Sequence, residues 1–333
     1  MNKDKLIETV ARLVKPPKGI LAIDESLPTC NKRFVKLGVP TTEEKRREYR
    51  ELLVTAPDVE KYISGYILFD ETIRQSTKDG KSFISIMQEK GIEVGIKVDE
   101  GTADLELHPF EKKTKGIEGL LWRLKEYKDM GATFSKWRAV YTIGKDIPSE
   151  DCMKGNAVSL AEYAFACQGL DIVPIVEPEV LIDGDHTIEE CYKVIAHNLD
   201  IIFLELDKMN VFIPGMILKT SMVTSGKDAK VQAPAEDVAW MTLKCLKEHV
   251  PANIGGIVFL SGGQSDKGAM LNLNAMHKND PLPWPLTFSY GRAIQNGALE
   301  SWAKNPEDIK TAQNLLLEAA KNNSLASIGK YEG

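Results

Sequence analysis

Short runs of β-branched and aliphatic residues, each bounded by glycine, proline or an acid, recur eight times along the chain. No other feature limits the fold so strongly. The runs are Gly19–Asp24, Gly65–Phe69, Gly95–Asp99, Phe134–Val140, Ile172–Glu177, Gly215–Lys219, Gly256–Leu260 and Leu286–Tyr290. Their spacing, roughly 30 to 45 residues, suits βα units with loop insertions. Runs such as Gly256-Ile-Val-Phe-Leu260 are apolar without alternation, as in parallel strands covered by helices. No self-similarity accompanies the spacing, which argues against a solenoid or propeller. The expected fold is α/β: a closed, parallel, eight-stranded (β/α)8 TIM barrel, with a doubly wound sheet as the alternative. Polar residues close nearly every run, and only a barrel brings those ends to one mouth.

Between the runs lie helical periodicities with recognisable limits. Thr41-x-x-Glu44 and Thr187-x-x-Glu190 are candidate capping boxes, and Asn305-Pro306 reads as a cap followed by a proline at the first helical position. Gly169 and Pro251 read as helix stops. The segment Met1–Val10 reads as a short amphipathic helix and not a signal peptide. No linker divides the 333 residues, so one barrel domain over 1–333 is expected, with an extra N-terminal helix and C-terminal helices. A net charge of −6 offers no basic field for nucleic acid or an anionic membrane, and nowhere do about 18 apolar residues run together. The five widely spaced cysteines form no C-x-x-C pair, which fits a reducing compartment and a cytoplasmic protein.

The strand ends carry the chemistry. Lys219 follows Met-Ile-Leu at the end of an apolar run; it is either a lysine snorkelling to the rim or a desolvated amine that attacks a carbonyl carbon. Lys136 shares one strand face with Phe134 and Arg138, and two cations on one face point to an anionic ligand or to a charge that tunes Lys219. Alternation puts Glu177 and Glu179 on one face too, suited to acid–base work or to a simple acidic turn. Asp24 ends the first run and could equally be a turn residue.

Ser261-Gly262-Gly263 and Ser289-Tyr290-Gly291-Arg292 close the seventh and eighth runs. Open backbone amides, hydroxyls and a forked cation there make a phosphate site, in the place where barrels recurrently hold one. No G-x-G-x-x-G follows a strand and no G-x-x-x-x-G-K-[ST] is present, so no nucleotide cofactor is expected. The five histidines never pair at metal-binding spacing, and no catalytic metal is expected. Asp183-Gly-Asp185-His186 reads as a polar turn, and the five scattered tryptophans as packing residues.

These segments together resemble the class I fructose-bisphosphate aldolases. The resemblance runs from about Lys18 to Tyr331 through Lys18-Gly-Ile-Leu-Ala-x-Asp-Glu-Ser26, Gly95-Ile-Lys-Val-Asp99, Lys136-Trp-Arg138, Ile172-Val-Pro-Ile-Val-Glu-Pro-Glu179, Leu218-Lys219, Phe259-Leu-Ser-Gly-Gly-Gln-Ser265 and Leu286-Thr-Phe-Ser-Tyr-Gly-Arg292. It implies that Lys219 is a Schiff-base lysine, Glu177 the principal acid/base, and Lys136, Glu179 and Asp24 the supporting charges. The ketone-end phosphate would meet Ser261, Gly262, Ser289, Gly291 and Arg292, and the distal phosphate Ser26, Lys97 and Arg138. The implied activity is metal-free, cofactor-free, reversible cleavage of fructose 1,6-bisphosphate, by a homotetramer. A metal-dependent aldolase or other barrel lyase, and a non-catalytic sugar-phosphate-binding or cytoskeletal scaffold, are the rival readings.

Three departures from the family pattern stand out. Leu27-Pro-Thr-Cys-Asn31 replaces a small Thr-Gly-Ser-type loop and puts Thr29 where a serine is usual. Thr220-Ser221 replaces a common Pro-Asn. Tyr331 does not simply inherit the role of the tyrosine that ends the tail of animal members.

Overall fold

The computed structural model describes residues 1–278 and 281–333. Eight parallel strands close into a barrel: β1 (Gly19–Ala22), β2 (Ile63–Leu68), β3 (Glu93–Lys97), β4 (Phe134–Tyr141), β5 (Val173–Val180), β6 (Ile217–Thr220), β7 (Gly256–Phe259) and β8 (Leu286–Tyr290). Each strand neighbours the next in sequence, and β8 pairs with β1 through Ile20↔Ser289 and Leu21↔Tyr290. A small antiparallel hairpin, Thr102–Asp104 with Lys112–Thr114, is inserted after β3.

The helices are α1 (Lys3–Leu13), α2 (Leu27–Lys36), α3 (Glu43–Thr55), the single turn α4 (Asp70–Ile73), α5 (Phe83–Glu89) and α6 (Leu120–Met130). They continue with α7 (Glu150–Gly169), α8 (Ile188–Lys208), α9 (Ala235–His249), α10 (Asp266–Met276), α11 (Arg292–Lys304) and α12 (Ile309–Ala326). The expected N-terminal and C-terminal helices are thus present. No described helix is long and apolar enough to cross a membrane.

Two apolar cores hold the barrel. Outside it, the strand faces pack on the helix ring. At the bottom, α1 lays Leu6, Val10 and Leu13, with Val14 just beyond, onto Ile20, Ile67, Phe134, Val173, Ile175, Ile217 and Val258 inside the strands. The amphipathic face of α1 therefore works as a plug: its burial closes that end of the barrel and leaves the other end as the mouth. Ring packing also accounts for two strand glycines, Gly19 at the start of β1, against the outer core, and Gly95 in the middle of β3, against the plug. A Cβ on Gly95 would lie 2.2 Å from the Phe134 ring, and one on Gly19 2.5 Å from the Phe288 ring. Phenylalanine rings fill the space that those two residues leave empty.

Several expected boundaries shift. The Thr187 capping box is present, whereas the cap of α3 is Thr42, accepting from the Lys45 amide, and not Thr41. Asn305 is the C-cap of α11, and the N-cap of α12 is Asp308, whose carboxylate accepts from the Thr311 amide; Asn305-Pro306 therefore starts no helix. Gly215 lies in a 3-10 turn (Ile213–Gly215) ahead of β6. The fifth strand continues through Pro178 and Glu179 to Val180, because its pairing with β4 runs unbroken to Tyr141↔Val180. Trp137, Trp284 and Trp302 are buried packing residues, but Trp122 and Trp240 are exposed.

Overpacking the plug should be costly. Gly95→Ala is expected to lower the urea-unfolding free energy by about 1 to 3 kcal/mol with the slope unchanged. An unaltered midpoint would show that the Phe134 ring has free room to retreat.

Candidate active site

The mouth opens into a cavity of about 1240 Å³ that takes lining from all eight strands or the segments just after them. Every site residue inferred from the sequence lines it: Asp24, Ser26, Lys97, Lys136, Arg138, Glu177, Glu179, Lys219, Ser261, Gly262, Ser289, Gly291 and Arg292. The long strands β4 and β5 are paired Arg138↔Glu177, which sets the cations of one beside the carboxylates of the other.

At the floor, Lys136 Nζ lies 2.8 Å from Asp24 Oδ2, 3.2 Å from Glu177 Oε2 and 3.8 Å from Asp99 Oδ2. Lys219 Nζ lies 3.1 Å from Glu177 Oε1, so one carboxylate spans the two ammonium groups. Lys136 is 3% and Lys219 4% exposed, which excludes the snorkelling geometry for Lys219. Burial would raise the Asp24 carboxyl, but Lys136 and Lys219 outweigh it and hold the group down at about 2. Burial alone would likewise lower Lys136; the charges of Asp24, Glu177 and Asp99 win and raise it well above the ordinary lysine range. Lys136 is thus a permanent cation at the centre of three acids.

The next layer outward is also paired. Arg138 Nε bonds Glu179 Oε2, while Lys97 sits 2.6 Å from Asp99 Oδ1 and donates to the Asp99 carbonyl. Burial opposes the charge on Arg138, and Glu179 more than restores it. At the rim the pattern changes. Arg292, at the start of α11, and Lys32 on α2 are exposed and form no ion pair among the described residues. Ser261 and Ser289 are buried with the cavity in front of them, and the Ser289 hydroxyl has no hydrogen-bond partner among the described residues. Gly262 takes φ +55°, a left-handed conformation that glycine adopts without strain.

Sequence reasoning missed Glu25, Lys32 and Arg33. It treated Leu27–Asn31 as a loop, but Pro28 sits in the first turn of α2 and the helix begins there. That helix carries Lys32 and Arg33 to the cavity wall, where Glu25 holds Arg33 and also accepts from Arg50. Ser26 exchanges a hydrogen bond with Thr29 at 3.1 Å. A basic pair about two helical turns beyond a strand-end acid was the available signal. Tyr331 is outside the cavity: its amide donates to Asn274 Oδ1 and its carbonyl accepts from Asn274 Nδ2. Asp183–His186 forms the expected polar turn, tied to the following loop by Gly226 N–H to His186 O. Among the described residues, no group of three His, Cys, Asp or Glu side chains is arranged to hold a metal ion.

A closed barrel with a buried, carboxylate-flanked lysine at the floor and open amides, hydroxyls and free cations at the rim defines a (β/α)8-barrel enzyme site for an anionic substrate. The comparisons make this specific. The family model for class-I fructose-bisphosphate aldolase matches residues 5–333. A probable fructose-bisphosphate aldolase class 1 from Xanthomonas campestris is 53% identical over the whole of both chains. The cytosolic fructose-bisphosphate aldolase 5 of Arabidopsis thaliana is 47% identical over 99% of this chain and 92% of its own. A crystal structure of fructose-bisphosphate aldolase from Plasmodium falciparum superposes with a TM-score of 0.98 at 42% identity, covering 99% of this chain and 96% of that one. The chain belongs to the class I fructose-bisphosphate aldolase family, the metal-independent, Schiff-base branch of these lyases.

The floor makes a pH-dependent prediction. A carboxyl depressed from 3.8 to about 2 gives stability that is present above its unfolded value and lost as pH falls towards 2. Lys136→Met removes the cation responsible and should cost about 3 to 5 kcal/mol at neutral pH. That gap should narrow as pH falls from about 4 towards 2, because protonated carboxyls need no cation. Denaturant unfolding of both proteins against pH reads it; a gap of constant size would contradict the assignment.

Proposed function

We propose that this protein cleaves fructose 1,6-bisphosphate reversibly to dihydroxyacetone phosphate and glyceraldehyde 3-phosphate, with Lys219 as the nucleophile. The observation that carries the reading is the buried Lys219 amine held 3.1 Å from Glu177, whose other oxygen faces Lys136. The amine attacks the ketone carbon, and Glu177 takes up the amine's proton and returns one to the departing hydroxyl. Water leaves and an iminium forms. A carboxylate, for which Asp24 is placed, removes the proton from the hydroxyl on the fourth carbon. The bond between the third and fourth carbons then breaks, its electron pair moves to the iminium nitrogen as an enamine, and the aldehyde departs. Protonation of the enamine carbon and hydrolysis of the regenerated iminium release the ketone and restore Lys219. The imine is the electron sink, so the chemistry asks for neither metal nor organic cofactor. Lys136 keeps Asp24 ionised and pairs with Glu177, fixing both in place.

The ketone-end phosphate is assigned to Ser261, Gly262, Ser289, Gly291 and Arg292. The distal phosphate is assigned to Ser26, Lys97 and Arg138, with Lys32 added because its charge is unpaired, whereas Lys97 and Arg138 already hold carboxylates. Binding both ends fixes the ketone against the amine, which supplies the orientation part of the catalysis. We further propose that residues 1–333 form one barrel domain, that the protein assembles as a homotetramer, and that it acts in the cytoplasm.

A coupled assay for glyceraldehyde 3-phosphate tests the reading. Turnover is expected, and it should persist in EDTA. Glu177→Gln should lower kcat by about 10²- to 10³-fold. Binding without turnover would favour the scaffold reading, and chelation loss reversed by added zinc the metal-dependent one.

A further inference from the structure

The amides of β5 explain an unusual seam in the barrel. Val173 donates to Thr133 and Leu181 to Tyr141, both towards β4, so alternation turns the even-numbered residues of β5 towards β6. Two of those, Pro174 and Pro178, have no N–H to give. The consequence is visible in the pairing: β4 and β5 match from Phe134↔Val173 to Tyr141↔Val180, while β5 and β6 match only at Ile175↔Ile217 and Val176↔Leu218. The ladder stops one residue short of Glu177 and of Lys219, the two groups whose separation the chemistry needs.

Beyond the gap, a side chain takes over. Ser221 Oγ accepts from the Val180 amide at 3.0 Å and donates to the Val180 carbonyl at 2.9 Å. Both residues are buried, Ser221 at 6% and Val180 at 5% exposure, so neither backbone group has water to turn to. Ser221 is two residues past Lys219, and Val180 adjoins Glu179. The clasp therefore bridges the open end of the seam immediately above the reacting groups.

We propose that Ser221 is a positioning residue: its hydroxyl replaces the missing ladder and fixes the distance between the carboxylates of β5 and Lys219. The proposal rests on the Lys219 reading of the site. Ser221 itself touches none of the reacting groups. Its loss would let β5 and β6 splay, lengthening the Lys219–Glu177 contact while leaving the phosphate ends, on other strands, in place.

Steady-state cleavage by folded wild-type, Ser221→Ala and Ser221→Thr proteins tests this. Ser221→Ala should lose about tenfold in kcat with KM within about twofold, and Ser221→Thr, which keeps the hydroxyl, should recover most of the rate. If Ser221→Ala does not fold, Ser221→Cys, similar in size with a weak donor, takes its place with the same expected loss. Full kcat in the hydroxyl-free variant overturns the proposal. So does a loss that Ser221→Thr fails to restore, since packing alone would then be responsible. A wild-type protein without turnover would instead fault the Lys219 reading, so the two failures are told apart.

Discussion

One buried ammonium organises this molecule. Lys136, projecting from β4, lies within 4 Å of Asp24 and Asp99, just after β1 and β3, and of Glu177 inside β5. Taking such charges out of water costs several kcal/mol per ion, and only near-complete mutual pairing offsets it. The pairing requires these positions to stand at the same height around one centre. Closure of the barrel meets that requirement, and the cluster in turn ties the strand ends together. Stability and chemistry meet at the same atoms.

The two ends of the barrel divide the labour. The bottom is sealed by α1 and by the Phe134 ring set against Gly95, a packed arrangement that admits little movement. The mouth is graded in charge. Cations at depth are bound to carboxylates, whereas Lys32 and Arg292 at the rim form no ion pair among the described residues. A doubly phosphorylated substrate would be drawn by the unpaired charges and would find the paired ones already fixed in position. The exposed positions are suited to binding, and the buried ones to chemistry.

Much of this could be read from the sequence because barrel strands are local signals. Gly256-Ile-Val-Phe-Leu260 announces a buried parallel strand by its residues alone, and Lys219 stands out at the end of an apolar run. Glu177 and Glu179 shared a face by simple alternation. What escaped depended on contacts between distant segments. Lys32 and Arg33 reach the cavity only because Pro28 starts a helix where a loop was expected, and Glu25, far from both arginines in character, holds Arg33 and Arg50. Asn305-Pro306 looked like a cap, but the preceding helix continues to Lys304 and claims Asn305 as its end. The hydroxyl of Ser221 gains its meaning from prolines more than forty positions away, which no window of neighbouring residues can show.

The central claim is that Lys219 forms a covalent bond to a carbonyl carbon during turnover. Borohydride reduction in the presence of dihydroxyacetone phosphate, followed by peptide mapping, tests it most directly. The account predicts one reduced adduct per chain, on the peptide that contains Lys219, with activity lost in proportion. An adduct on Lys136 or another lysine, or full inactivation without any adduct, would contradict it.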